Sequence, residues 1–228
     1  MLILSQRTEV NDLTEFFEKF LAPTNTVYTM WAIIAVLAIF SFICTRKMKE
    51  VPNTLQNIGE MAVGALFNFY AEVLGEKRTR QYFPILATFF VFIIVCNYCG
   101  LLPGAGEYFT VPTSVLAITA ALAVIAFFTI HTSGILAKGV WGYIKSFLTW
   151  MLPISLLELV TRPMSLALRL YGNMYGEERV TETFYGIFPI ILPIIMNVLS
   201  LLFCLIQAMI FSMLLAVFLA EATETEEE

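Results

Sequence analysis

The chain is 228 residues long, 59% of them hydrophobic and 14% charged, with a mean hydropathy of +0.80. Soluble domains carry about a quarter charged residues, so an ordinary water-soluble globule is excluded. Disorder is excluded as well, because disordered chains are poor in the aliphatic and aromatic residues that dominate here. The net charge of −5 belongs to the end of the chain, where Glu221, Glu224, Glu226, Glu227 and Glu228 crowd together; the remaining acids and bases balance. No basic surface of the kind nucleic-acid binding needs is present. The composition is that of an all-α integral membrane protein, read as one membrane domain over residues 1–228.

The lead, 1–24, is polar (Arg7, Glu9, Asp12, Glu15, Glu18, Lys19). It lacks the basic start and immediate apolar core of a signal peptide and is expected to remain. An uncharged run follows, and VYTMWAIIAVLAIFSFICT reads as the first span, 26–45, stopped by Arg46, Lys47 and Lys49. Lys and Arg accumulate in cytoplasmic loops, so this end is cytoplasmic and the N-terminus lies outside. In 53–76, Leu55, Ile58, Ala62, Leu66, Phe69 and Val73 recur every three or four residues with polar groups between them. That is an amphipathic helix, expected to lie along the cytoplasmic interface, with Lys77, Arg78 and Arg80 holding the same side.

The second span is 82–102, ending outside at LLPGAG, in a loop that contains Glu107 and no base. The third, 113–133, returns to Lys138 and Lys145. The fifth, 193–220, follows an outside turn at Pro189 and Pro193, and leads to a cytoplasmic acidic tail, 221–228. Cys96 and Cys99 form a CxxC, but in an apolar run with no second ligand pair. The four cysteines are read as packing residues, and no metal or cofactor is expected.

The fourth span, 153–183, is anomalous. An odd number of crossings requires it to span, yet it carries Glu158, Arg162, Arg169, Glu177, Glu178, Arg179 and Glu182. One charge at mid-membrane costs about 2.5–3.5 kcal/mol on insertion scales, so these groups must face protein or water. At about 100° per residue, Glu158, Arg162, Arg169 and Asn173 fall on one face, while Glu178 and Glu182 point to the other side. Gly172 and Gly176 remove bulk beside Arg169, as where another helix passes closely. A fixed cation on one face and titratable carboxylates on the other is the layout of an ion path.

The segment RPMSLALRLYGNMYGEE resembles the signature of subunit a of the F-type ATP synthases, the membrane stator that works against the rotating c-ring. LIQAMIFSMLLAVFLAEA in the last helix, LLPG after the second span and the interfacial helix are similar to that family too. The resemblance implies five transmembrane helices plus one interfacial helix, the last two spans forming a long hairpin against the c-ring. It implies a non-catalytic, proton-conducting subunit with two half-channels. Its partners would be the c-ring, the subunit b stalk, the soluble catalytic head and membrane lipid, most simply in a bacterial plasma membrane, with an organelle inner or thylakoid membrane as the alternative.

In that family the arginine matched by Arg169 faces the ring carboxylate. Arginine stays protonated under essentially all conditions, so it ionises a passing carrier without donating a proton and blocks a direct leak. Asn173 and Gln207 match positions lining the arginine region. Glu178 matches the acidic position of the outside half-channel, with Glu177 and Glu182 as neighbouring candidates. Glu158 and Arg162 either line the exit half-channel or pair with each other. Two places depart from relatives: Ser200 stands where some carry a histidine, and the loop before the third span has Thr113 and Ser114 where relatives often carry an aspartate. His131, the lone histidine, is read as packing at the end of the third span. The alternative is a secondary transporter with an intramembrane ion site, but such proteins commonly show internal repeats and none is visible here.

Overall fold

A computed structural model describes residues 25–46, 54–102, 110–148, 152–187 and 191–224. The expected polar lead, the loop with Glu107, Pro189 and tail residues 225–228 lie outside the described residues. The described chain is helical, apart from short connecting stretches and one 3₁₀ turn, Pro112–Ser114. The helices are α1 (Asn25–Thr45), α2 (Thr54–Leu74), α3 (Glu76–Cys99), α4 (Leu116–Leu148), α5 (Leu152–Ile187) and α6 (Ile191–Thr223). Segments in α1, α3, α4 and α6 are long and apolar enough to cross a membrane. This is an all-α integral membrane protein.

Helix α1 has no charged residue in its 21, and at 1.5 Å per residue it is about 30 Å long, the thickness of a bilayer's hydrocarbon core. It turns Trp31, Phe40, Phe42 and Ile43 outward and buries little beyond Thr26 and Ile33, as a lipid-facing helix should. Helix α2 forms where the recurrence placed it, but of the expected apolar stripe Ile58 and Ala62 are exposed and Leu66, Phe69 and Val73 only half-buried. It buries Tyr70 and Leu74 while Glu60 and Glu72 face out. It ends at Gly75, whose φ of +75° is a left-handed conformation that glycine adopts without steric cost. The chain therefore turns straight into α3, whose charged first turn carries an exposed Arg80–Glu76 pair at 3.0 Å.

Helix α3 buries Tyr82, Leu86, Phe89, Ile93, Cys96 and Asn97 on one stripe, with Phe89 stacked on Phe211 of α6 at 5.8 Å. Helix α4 continues well beyond the expected end at 133 and breaks at Gly139 (φ 73°, ψ 160°). The break folds Tyr143 back so that its hydroxyl meets Nδ1 of His131. Gly134 makes this possible, since a Cβ there would stand 2.5 Å from the Tyr143 ring and 3.2 Å from the Ala222 carbonyl.

Helices α5 and α6, of 36 and 33 residues, run about 54 and 50 Å and pack antiparallel. Helix α6 exceeds the hydrocarbon thickness, so it must tilt or project beyond it. Leu166, Ala167, Leu170 and Met174 of α5 join Cys204, Ala208, Phe211 and Leu215 of α6 in a core shared with α2, α3 and α4. Helix α6 runs through Thr223, so Glu221, expected at the start of a tail, sits on its last turn.

Candidate ion-translocation site

The buried stripe of α5 decides where its polar groups go. Taking Arg169 as zero, Leu166, Ala167, Leu170 and Met174 lie between about 60° and 160° around the helix. Arg169 falls just outside one edge of that stripe and is exposed. Among the described residues it has no hydrogen-bond, ion-pair or ring partner. Within about 60° of it around α5 lie Arg162, Ser165, Gly172, Asn173 and Gly176, and farther round the helix Met164, Leu168 and Tyr175 are also outward. A Cβ at Gly172 or Gly176 would meet nothing within 4 Å. The chain's own packing therefore does not require glycine at either position.

One turn on, Asn173 donates from Nδ2 to Oε1 of Gln207 across to α6. Gln207 is only 3% exposed, and its Nε2 is buried without a partner among the described residues. The two amides open onto a cleft of about 440 Å³, also lined by Glu177, Ser200, Met196, Val180 and Phe203. Glu177, at about 80° from Arg169, is turned toward α6. Glu178 is about opposite Arg169; it is exposed and does not line the cleft. Glu182 lies on α5, but its side chain is not among those described. Asn197 is exposed. Buried polar groups also occur on α3 and the 3₁₀ turn it meets: Asn97 and Thr113 are fully buried, and their side-chain polar atoms lack partners among the described residues.

At the opposite end of α5, Arg162 pairs with Glu158 at 2.7 Å within the helix and with Glu221 of α6 at 2.6 Å. Its guanidinium also lies over the Phe218 ring, 4.7 Å from the centroid. Lys138 of α4 donates to the Glu221 carbonyl at 3.5 Å. His131 is engaged with Tyr143 and packs edge-on against Phe127, with ring centroids 4.1 Å apart.

The sequence profile of the family described as ATP synthase A chain matches residues 27–220. The chain belongs to the ATP synthase subunit a family. It is 42% identical over 189 residues to "ATP synthase subunit a 3" of Pelobacter propionicus, covering 77% of this chain and 80% of that one. It is 38% identical to "ATP synthase subunit a" of Geobacter sulfurreducens over the same shares. To its namesake in Oleidesulfovibrio alaskensis it is 41% identical, over 72% of this chain and 71% of the relative.

Against this family background, the structure adds residues that sequence reasoning passed over. Glu221 was grouped with the tail acids, and only the helical continuation to Thr223 separates it from them. Asn97 sits uncharged in an apolar run, where its burial is the only signal. The inward turn of Glu177 was available from the helical wheel, since it lies only about 40° from Asn173.

Proposed function

We propose that this chain is the proton-translocating subunit a of an F-type ATP synthase, presenting two offset half-channels to a rotating c-ring with Arg169 between them. The reading rests above all on Arg169: an exposed guanidinium with no partner among the described residues, flanked along α5 by the apolar Leu168 and Leu170. Left alone in hydrocarbon such a group is costly, so a partner must supply its counter-charge, and a ring carboxylate does so. The open space at Gly172 and Gly176 admits the close helix that carries it.

In this reading α5 crosses the bilayer as a fifth span, its cost offset by the cleft and the partner. The N-terminus lies outside and the C-terminus in the cytoplasm, by the positive-inside rule. The cleft between α5 and α6 is the outside half-channel, and Glu177 is its acid, with Asn173, Ser200 and Gln207 holding water and the proton. Glu178 and Glu182 stand nearer the channel mouth. Asn97 and Thr113 supply polar lining on the same side. A proton crosses the cleft, neutralises a ring carboxylate and rides round. It leaves toward the cytoplasm past the end of α5 that holds Glu158 and Arg162, because Arg169 re-ionises each arriving carrier. Each unit charge moved through 100 mV releases about 2.3 kcal/mol, so several must pass for each ATP made. The chain has no phosphate loop, and catalysis belongs to the soluble head.

The reading is tested by tagging this chain, extracting it in mild detergent and identifying what is retained. A c-ring, subunit b and an ATPase head are expected. An isolated, stable protein with none of these, active in substrate uptake when reconstituted, would overturn it.

A further inference from the structure

The α5–α6 hairpin is joined by polar links at two levels, and their spacing matches. Asn173 meets Gln207, and Arg162 meets Phe218. The interval is eleven residues on each helix, 162 to 173 on α5 and 207 to 218 on α6. In antiparallel helices equal intervals mean that both links report a single register. Arg169 lies between them, about 6 Å along the axis from Asn173 and about 10 Å from Arg162.

The lower link has more than one part. The Arg162 guanidinium is gripped by Glu221 at 2.6 Å, lies over Phe218, and is steadied from its own helix by Glu158 at 2.7 Å. The residue that carries the Glu221 carboxylate also accepts from Lys138 of α4 through its backbone carbonyl. At the next residue, Ala222, α4 passes close by, since a Cβ on Gly134 would stand 3.2 Å from its carbonyl. Helices α4 and α5 thus converge on one turn of α6. Arginine suits this position because its planar fork bonds two carboxylates at once while its face stacks on an aromatic ring.

We propose that Glu221 and Arg162 are positioning residues for ion transport: their pair, backed by Phe218, fixes the height of Arg169 along α5 relative to the Gln207 side of the cleft. Neither residue handles the proton. A slip of one residue moves Arg169 by about 1.5 Å and turns it by about 100°, off the lane that a ring carboxylate follows. The Asn173–Gln207 link alone allows α5 to pivot, and the second link removes that freedom. The inference rests on the transport reading above.

The test uses the whole complex in inverted membrane vesicles, measuring ATP-driven acidification per ATP hydrolysed together with passive proton flux after the head is stripped. Glu221→Gln keeps the shape and removes the charge. Its complex should assemble, yet acidification per ATP should fall about threefold, the factor typical of a partly exposed ion pair. Glu221→Asp should recover most of the loss, and Glu224→Gln, which removes an equal charge from an exposed site three residues on, should change nothing. Arg162→Gln should match Glu221→Gln, and the double variant should be no worse than either. Wild-type coupling in assembled Glu221→Gln, or an equal loss in Glu224→Gln, would overturn the inference while leaving the transport reading intact. A wild-type complex that never acidifies vesicles would overturn both. If Glu221→Gln does not accumulate, Arg162→Lys gives the same reading, since it keeps the charge but loses the double grip; unchanged coupling there refutes the inference.

Discussion

Asn173 and Gln207 share one hydrogen bond but not one environment, and this asymmetry makes a prediction. Gln207 is 3% exposed and already has one amide atom, Nε2, without a partner among the described residues, whereas Asn173 lies on the exposed side of the cleft. Replacing Asn173 by Leu strands the whole Gln207 amide, and a buried unsatisfied polar group costs about 1–3 kcal/mol. At about 1.4 kcal/mol per decade, that is roughly a five- to 150-fold loss in the population of the working arrangement. Replacing Gln207 by Leu strands only a group that water reaches, so the loss should be below about fivefold. The double variant strands nothing. It should be less impaired than the product of the two single losses, with a coupling of about 0.6 kcal/mol as is usual for such bonds in membranes, about threefold. The assay is the initial rate of ATP-driven acidification in inverted vesicles, normalised to assembled complex. Losses that simply multiply in the double variant would refute the cross-helix bond as a working element.

Other substitutions test separate parts of the account. Glu177→Gln should slow passive proton flux through the stripped membrane sector by at least about a hundredfold, the low end of what positioned acid–base groups contribute. Glu178→Gln should slow it less, and the reverse order would move the path to the other side of α5. Gly172→Val should leave the chain in the membrane at normal level, because nothing in it lies within 4 Å of the new Cβ. It should nevertheless abolish pumping by pushing the partner helix away from Arg169; normal pumping would mean that no helix passes there. Gly134→Ala should lower the amount of the chain in the membrane by forcing Tyr143 away, an overpacking cost of about 1–3 kcal/mol. Quantitative immunoblotting reads this directly, and an unchanged level would mean that the α4–α6 contact yields freely.

Much of the architecture was legible in the chain. The uncharged runs marked α1, α3, α4 and α6 because hydrocarbon tolerates little else, and the three- and four-residue recurrence of Leu55 to Val73 marked α2. The crowding of charge onto α5 was visible too, and the wheel separated Arg169 from Glu178. What the chain concealed were relationships that local spacing does not encode. Glu221 follows a long apolar run and precedes four more acids, so in sequence it looks like a solvated tail; only the partner on another helix distinguishes it. His131 and Tyr143, twelve residues apart, would not face each other on an unbroken helix. The left-handed turn at Gly139 brings them together, and nothing in AKGVWGY says which glycine will make it. Glu177 and Glu178 were adjacent acids in one motif, separated only by which of them the α6 helix covers.

The central claim is that Arg169 couples ion flow to its partner's motion, and its removal tests this most directly. In inverted vesicles carrying Arg169→Ala, the complex should assemble and ATP-driven acidification should be lost. Arg169→Lys should also fail to restore normal pumping, because an ammonium in such a site can surrender its proton. Normal coupled pumping by the assembled Arg169→Ala complex would contradict the account.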